Sequence, residues 1–262
     1  MSGITQGFAA TVAAMGPVQL DEVNAAAALQ TRVDRKYVVA LDLLDMLDFD
    51  EHVMALEIDT RRRFRYATTY YDTPERDLYL DTAYRRPRRF KVRIRSYVDS
   101  GLTLLEVKRK DGRGKTVKSR RPIAPGNEGS GLTPSMRAFV NGEVETRLTD
   151  HLGVAVTTRF DRTTVVDTEF GARYTIDHNV RGDAPDGRVV SLTDAAVVET
   201  KSGGGPTPLD RVLWSHGVRP ARISKYCTAM AILDPSLPAN HWNRTLHRHF
   251  GGRPQSASSK LA

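Results

Sequence analysis

The pattern that decides the fold is RFKVRIR at residues 89–95, where a lysine or arginine stands at every second position. Successive side chains of a β-strand point to opposite faces of a sheet. A strand over these residues would therefore collect the cations on one face and place Phe90, Val92 and Ile94 on the other. This alternation predicts a sheet with a charged front and an apolar back.

The same kind of charge continues on the segments that follow. Between residues 85 and 121 the chain carries fifteen lysines and arginines but three acids, although the net charge of all 262 residues is +8. Most alternating strands simply expose one polar face to water, so the pattern alone does not define a site. Several cation-bearing strands side by side would nevertheless repel one another unless an anion lies among them. We therefore expect this region to bind a polyanion.

The composition excludes several classes of protein. The single cysteine, Cys227, rules out an internal disulfide, and the seven histidines form no zinc motif. No apolar stretch approaches the roughly 20 residues that a membrane-spanning helix needs. The first residues lack the charged start and apolar core of a signal peptide. These features predict a cytoplasmic protein without a transmembrane segment.

The sequence predicts one domain over residues 19–250, an N-terminal extension at 1–18 and a disordered tail at 251–262. Because βαβ alternation is absent, we expect an α+β fold: a mostly antiparallel β barrel of about eight strands with peripheral helices. The predicted strands cover residues 31–39, 63–71, 88–98, 102–110, 115–122, 154–167, 172–180 and 194–202. The predicted helices cover residues 20–29, 41–49, 133–148, 208–216, 224–233 and 242–250.

In such a barrel, one interior face would collect most of the charged side chains. The residues predicted to share this face are Arg32, Asp34, Lys36, Arg93, Arg95, Glu106, Lys108, Lys118, Arg120, Arg162, Arg173, Glu199 and Lys201. Charges inside a barrel are tolerated when they are paired or bound to a ligand. Since guanidinium groups match phosphate oxygens bidentately and lysines add point charge, this lining suits a phosphate chain.

The few acids on that predicted face have two possible roles. They could hold Mg²⁺ or Mn²⁺ through carboxylate oxygens, with the ion bridging to phosphate, or they could be counter-ions of neighbouring cations. Both roles stay open for Asp34 and Glu106. For Glu199, which precedes Lys201 at strand spacing, the metal role is preferred.

Nine short motifs follow one another between about residues 20 and 235. They are RVDRKY (32–37), YDT (71–73), KVRIR (91–95), LEVK (105–108), VKSR (117–120), DRT (161–163), ARYTID (172–177), VETK (198–201) and SKY (224–226). In this order they resemble a known family, the VTC (vacuolar transporter chaperone) catalytic domain, a polyphosphate polymerase among the triphosphate tunnel metalloenzymes. Each motif is weak alone, but nine in order are specific.

The resemblance implies a metal-dependent enzyme that transfers the γ-phosphate of ATP to a growing polyphosphate chain inside a basic tunnel. The residues predicted to be catalytic are Arg93, Arg95, Lys108 and Lys118. The residues predicted to bind substrate are Lys36, Arg120, Arg162, Arg173, Lys201 and Lys225. Glu199 would bind the metal, Mn²⁺ or Mg²⁺. The expected partners are ATP and inorganic polyphosphate.

The sequence also departs from the family. Arg32 and Asp34 stand where many tunnel enzymes have glutamates, which weakens the case for a second metal there. The chain has no room for the regulatory domain and membrane helices of the eukaryotic assemblies. We therefore expect a bacterial-type soluble member, for which a membrane partner protein is possible.

Three alternatives remain at the level of sequence. A hydrolase of tripolyphosphate, nucleoside triphosphate or thiamine triphosphate would need almost the same lining. A non-catalytic sensor would bind polyphosphate without turning over ATP. Nucleic-acid binding is disfavoured, because Phe90, an aromatic ring available for stacking, belongs to the apolar face opposite the cations.

Overall fold

A computed structural model of the chain describes residues 6–26, 33–111, 114–127, 129–144 and 148–250. The predicted tail, residues 251–262, and Arg32 of the predicted interior face lie outside the described residues. The helices are α1 (Gln6–Ala14), α2 (Leu20–Ala26), α3 (Leu41–Asp45), α4 (Asp77–Ala83), α5 (Pro134–Glu143), α6 (Pro208–Ser215), α7 (Lys225–Leu233) and α8 (Asn243–His249). None of these described helices is long and apolar enough to cross a lipid bilayer.

The strands form one sheet. They are β1 (Pro17–Val18), β2 (Val33–Ala40), β3 (Val53–Leu56), β4 (Phe64–Asp72), β5 (Phe90–Tyr97), β6 (Leu102–Lys110), β7 (Thr116–Pro122), β8 (Gly153–Asp167), β9 (Ala172–Asp183), β10 (Val189–Ser191) and β11 (Ala195–Ser202). Eight of them follow the hydrogen-bonded order β2-β11-β9-β8-β4-β5-β6-β7. β3 pairs with β1 and β8, and β10 pairs with β9.

The predicted α+β class with a mostly antiparallel sheet is confirmed. The pairs β2–β11, β9–β11, β4–β5, β5–β6 and β6–β7 are antiparallel, whereas the short β1–β3 pair is parallel. The eight-strand order is open, since no pairing joins β2 to β7 among the described residues. The predicted strands and helices do not include α1, β1, β3, α4 or β10.

The first of two compact units contains the described residues of Met1–Arg65, Phe160–Val180 and Leu192–Ile223. Its core packs α1, α3 and α6 against one face of β2, β9 and β11. Phe8 and Val12 of α1 are buried in this core. The residues preceding β2 therefore contribute to the folded core of the first unit.

Asp210 connects the core of the first unit to the strands that carry charged residues. This buried carboxylate accepts hydrogen bonds from the hydroxyls of Tyr37 at 2.6 Å and Thr200 at 2.7 Å. It also completes a capping box with Thr207 at the start of α6. Because Tyr37 follows Lys36 and Thr200 lies between two charged residues of β11, these bonds fix the backbone from which the charged side chains project.

The second unit contains the described residues of Tyr66–Arg159, Arg181–Ser191 and Ser224–Ala262. On one face of its sheet, the apolar side chains of β5 and β6 pack against α5. Val92, Ile94 and Leu105 are fully buried there, next to Met136 and Val140 of the helix. The predicted apolar back of the sheet is confirmed, and α5 covers it.

The packing of α1 gives a test of the first unit. Phe8→Ala should lower the free energy of unfolding by about 3–5 kcal/mol, because it removes a fully buried aromatic ring. Urea denaturation followed by circular dichroism measures the change. Gln6→Ala, at an exposed position of the same helix, should shift the value by less than about 0.5 kcal/mol. Equal stability of Phe8→Ala and wild type would contradict the role of α1 in the core.

Candidate functional site

The charged side chains of β5, β6 and β7 in the second unit share one face, which we call the cationic face. Its members are Lys91, Arg93 and Arg95 on β5, Glu106 and Lys108 on β6, and Lys118 and Arg120 on β7. The register arranges them in rows across the strands. One row is Lys91, Lys108 and Lys118, and the next is Arg93, Glu106 and Arg120. Six cations therefore surround one carboxylate.

Glu106 lies at the centre of the cationic face and its side chain is 0% exposed. Its Oε2 accepts a hydrogen bond from Nε of Arg93 at 2.6 Å and lies 3.9 Å from Nε of Arg95. Its Oε1 lies 2.5 Å from Nζ of Lys118, a diagonal neighbour on β7. One buried carboxylate thus orients cations from both adjacent strands.

The charges around Glu106 shift the protonation equilibria of the cluster. Burial alone would raise the pKa of Glu106, but Arg93, Arg95 and Lys118 lower that pKa to about 2. Burial lowers the pKa of Lys118, and the neighbouring Arg93 and Arg95 add to this effect against the attraction of Glu106. Glu106 therefore stays ionised at neutral pH, held in place by the cations that it helps to orient.

Tyr70 belongs to the same cluster, although the sequence analysis did not single it out. It lies directly opposite Arg93, whose Nη1 donates a hydrogen bond to the Tyr70 hydroxyl at 3.2 Å. Burial raises the pKa of this phenol, but Arg93, Arg95 and Lys91 outweigh burial and lower it. The Tyr70 oxygen therefore lies in a strongly positive field, which is the environment expected for an anion site.

The N-terminal end of α7 contacts the cationic face beside Lys91 and Tyr70. Nζ of Lys91 donates to Oγ of Ser224 at 3.2 Å and lies 5.6 Å from the ring centroid of Tyr226. The Tyr226 ring stacks on Tyr70, with the centroids 4.8 Å apart. Ser224 also caps α7, because its side chain accepts from the backbone N–H of Cys227.

The position of α7 depends on a buried carboxylate of β4. Asp72 accepts a hydrogen bond from the Tyr226 hydroxyl and further bonds from the backbone N–H groups of Thr73, Leu78 and Tyr79. Burial raises the pKa of Asp72 despite these bonds. The same carboxylate therefore holds the start of α4 and the first turn of α7. Lys225, the first residue of α7, is half-buried next to these groups.

A second charged cluster lies in the first unit, and we call it the Glu199 cluster. Oε1 of Glu199 lies 2.6 Å from Nζ of Lys36 and 2.8 Å from Nζ of Lys201. The register explains these contacts, since Glu199 of β11 lies opposite Lys36 of β2 and opposite Thr175 of β9. Asp34, Lys201 and Arg173 form the next row.

The Glu199 cluster contains a lysine that can titrate near physiological pH. Burial lowers the pKa of Lys201 to about 8, with Glu199 opposing and Lys36 reinforcing the change. Burial would raise the pKa of Glu199, but Lys36 and Lys201 hold it well below its usual range. In the first unit, Glu199 is thus a counter-ion of two lysines.

Arg162 has a different environment from the other predicted phosphate ligands. Its Nε and Nη2 donate to the two carboxylate oxygens of Asp177 at 2.6 and 2.8 Å, which is a bidentate pair. Asp177 is buried on β9, opposite Val197. The edge of the Arg162 guanidinium that carries Nε and Nη2 is therefore occupied by Asp177 within the sheet of the first unit.

The structure brings the predicted site residues together in two groups. Arg93, Arg95, Lys108, Lys118 and Arg120 share the cationic face, with Lys225 in the same unit. Lys36, Arg162, Arg173, Glu199 and Lys201 lie on β2, β8, β9 and β11 of the first unit. Tyr70, Tyr226 and Asp177 were not among the predicted site residues, although Tyr226 and Asp177 stand in the motifs SKY and ARYTID. Their contacts join distant segments, so the local sequence pattern does not identify them.

The described residues contain no group of three or more His, Cys, Asp or Glu side chains able to hold a metal ion. Glu199 offers one carboxylate, and its Oε1 is shared between two lysines. A divalent cation would therefore need most of its oxygen ligands from a bound phosphate, as is usual for Mg²⁺ bound with substrate phosphates. The carboxylate of Glu199 therefore fits a divalent cation that binds together with a phosphate ligand.

Comparison with protein families finds one that covers most of the chain. The model of the VTC domain matches residues 31–234. A search of the curated proteins gave no match.

Similar solved structures include HpAC1 of Hippeastrum, described as a candidate adenylyl cyclase with a dominant triphosphatase activity. It is 14% identical, with a TM-score of 0.46, over 76% of this chain and 94% of that chain. PH1819 of Pyrococcus horikoshii is 13% identical, with a TM-score of 0.40, over 73% and 91% of the two chains. A candidate adenylate cyclase of Vibrio parahaemolyticus is 13% identical, with a TM-score of 0.36, over 72% and 84%.

The Glu106 cluster gives a prediction about acid stability. Glu106→Gln should destabilise the protein by roughly 3–5 kcal/mol at pH 7, because three cations lose their buried counter-charge. The pKa of Glu106 is lower in the folded state than its ordinary value of 4.5, so its charge stabilises the fold fully above pH 4.5. That contribution is lost as the pH falls towards 2. The stability difference between wild type and variant should shrink over the same range, as measured by urea denaturation.

Glu75→Gln is the matched control, since this glutamate is exposed in the same unit. It should leave both the stability and its pH dependence close to wild type. A stability difference for Glu106→Gln that stays constant from pH 6 to pH 2 would contradict the assignment of Glu106 as an ionised counter-ion.

Proposed function

The chain belongs to the VTC domain family, and on that premise we propose that it is a metal-dependent polyphosphate polymerase. In this reaction, a terminal oxygen of polyphosphate attacks the γ-phosphorus of ATP. The bond between that phosphorus and the β–γ bridging oxygen breaks, and ADP leaves. The polyphosphate chain grows by one phosphate.

The observation that carries the proposal is the excess of positive charge on the cationic face. Six cations surround Glu106, which neutralises one unit of that charge. A linear phosphate chain repeats its negative charge along its length, as the cations repeat theirs along and across the strands. We therefore propose that bound phosphates complete the charge balance of this face.

The reaction needs no protein nucleophile, because the acceptor phosphate is itself the attacking group. The protein has to align two polyanions that repel each other and to neutralise the charge of the transferring group. We propose that Arg93, Arg95, Lys108 and Lys118 contact the transferring phosphates. Glu106 positions three of these four cations before the substrate binds. Groups oriented in advance stabilise a transition state without reorganisation at the moment of reaction.

We propose that the remaining predicted residues also bind phosphate. In the second unit they are Arg120 and Lys225, and in the first unit they are Lys36, Arg173 and Lys201. Arg162 is proposed to contribute charge rather than a bidentate contact, because Asp177 already occupies its fork.

Glu199 is the residue proposed to hold the divalent cation, Mn²⁺ or Mg²⁺. Such an ion would neutralise part of the charge of the phosphates. Since Glu199 is paired with Lys36 and Lys201, arrival of the phosphate would have to draw at least one lysine from the carboxylate to the ligand. The Glu199 cluster can thus exchange its counter-ions when substrate binds.

The test is product analysis after incubation with ATP and Mn²⁺, with Mg²⁺ in parallel. Wild type should form long polyphosphate on a gel and release ADP. Arg93→Ala should lower the rate by on the order of 10²-fold or more, as loss of a transition-state charge contact does. Arg93→Lys, which keeps the charge but not the planar fork, should retain part of the activity.

Arg88→Ala is the matched control, because it removes one exposed arginine from the same basic stretch outside the strands. It should leave the rate close to wild type. Orthophosphate without long chains would assign a triphosphate hydrolase instead. Tight polyphosphate binding without ATP turnover would assign a sensor. Near-normal rates of Arg93→Ala would contradict the catalytic role of the cationic face.

The lowered pKa of Lys201 predicts how binding depends on pH. An anion favours the protonated lysine, so binding should raise the pKa of Lys201 above about 8 and take up a proton. Affinity for a non-hydrolysable ATP analogue should be level just below pH 8 and fall by up to about tenfold per pH unit above it. Calorimetry between pH 7 and 9.5 measures both effects.

Lys201→Arg keeps its charge across this range and serves as the comparison. Its affinity should stay nearly constant where that of wild type falls. Equal slopes for the two proteins would show that Lys201 does not contact the ligand.

A further inference from the structure

One end of the cationic face is aromatic and apolar rather than charged. Tyr97 on β5 lies directly opposite Tyr66 on β4 and opposite Leu102 on β6. Side chains at every second position share a face, so this row continues the face of Arg95 and Arg93. The face therefore runs from the aromatic row, through the row of Arg95, to the row of Arg93 and Glu106 and then to the row of three lysines.

The geometry of the aromatic row suits a flat ligand. The rings of Tyr66 and Tyr97 are half-buried, with their centroids 5.0 Å apart at an interplanar angle of 56°. Leu102, in the same row, is 46% exposed. Arg95 lies between the aromatic row and Glu106. Its guanidinium carbon is 6.0 Å from the ring centroid of Tyr66, and its Nε is 3.9 Å from Oε2 of Glu106.

A cross-strand aromatic pair also stabilises a hairpin, without any ligand. That role accounts for contact between the two rings. It does not account for an apolar row with an exposed leucine in register with a face of six cations. A molecule with a flat apolar group at one end and a chain of negative charges at the other would match the whole sequence of rows.

We propose that Tyr66 and Tyr97 form a subsite for the nucleobase of a nucleoside triphosphate. The inference rests on the proposed function, because it assumes that the triphosphate lies along the cationic face. Residues two apart on a strand are separated by about 6.7 Å. The distance from the row of Tyr97 to the row of Arg93 is then about 13 Å, comparable with an extended nucleotide.

The subsite gives the substrate a direction. With the base on Tyr66 and Tyr97, the triphosphate lies along Arg95 and Arg93, with the γ-phosphate nearest Arg93. The acceptor polyphosphate then approaches from the opposite end, along the row of Lys91, Lys108 and Lys118. Stacking tolerates different bases, because every base has an aromatic face, so the subsite should accept ATP and GTP with similar affinity.

The test compares two ligands that differ in the base. Affinities of a non-hydrolysable ATP analogue and of inorganic tripolyphosphate are measured by calorimetry for wild type and variants. Tyr97→Ala should weaken binding of the ATP analogue by on the order of 10-fold and leave tripolyphosphate binding within about twofold. Tyr97→Phe keeps the ring and should bind both ligands as wild type does.

Tyr84→Ala is the matched control, since this tyrosine is 61% exposed, lies in the same unit and is not on the cationic face. It should change neither affinity. Equal affinities of Tyr97→Ala and wild type for the ATP analogue, or equal losses for both ligands, would overturn the base subsite alone. Failure of wild type to bind either ligand would overturn the proposed function together with the subsite.

Discussion

The folded state of the second unit depends on Glu106, a carboxylate that is buried among cations. Without Glu106, the guanidinium groups of Arg93 and Arg95 and the ammonium of Lys118 would repel one another in a poorly hydrated place. The carboxylate offsets this repulsion, and its own burial is tolerated because the cations surround it. The attraction is local, so the face as a whole keeps a large positive charge. The second unit can therefore fold without a ligand, and its cationic face still attracts a polyanion.

In both charged clusters a carboxylate is paired with neighbouring cations, but the number of cations per carboxylate differs. In the first unit, Glu199 is shared by two lysines, and Arg162 is matched one to one by Asp177. The positive excess is therefore concentrated on β5, β6 and β7, where the sequence alternates most regularly. The charged cluster of the first unit contains Lys201, whose pKa burial lowers to about 8, so the charge of that cluster changes with pH just above neutrality.

Much of the fold could be predicted from local sequence, because alternation along one strand needs no knowledge of its neighbours. The bounds of β5, β6 and β7 agree with prediction within two residues, and Phe90, Val92 and Ile94 are buried as expected. Helix α1 was missed although Phe8, Val12 and Met15 have helical spacing, because the segment was assigned to an extension.

The contacts between distant segments could not be predicted in this way. Whether Arg93 meets Tyr70, or Glu199 meets Lys36, depends on register between strands far apart in the chain. For the same reason, sequence alone left both a metal and a counter-ion role open for Glu106. Glu106 emerged as a counter-ion because Lys118, on the next strand, lies on its diagonal.

The bond between Asp72 and Tyr226 has a consequence for how related chains can diverge. Loss of the phenol would leave a buried carboxylate with one donor fewer, and loss of the carboxylate would leave a buried hydroxyl facing the start of α4. Neither position can drift neutrally while the other stays unchanged. In the descendants of a common ancestor, these two sites should accordingly covary, and substitutions at one should survive chiefly on backgrounds already altered at the other.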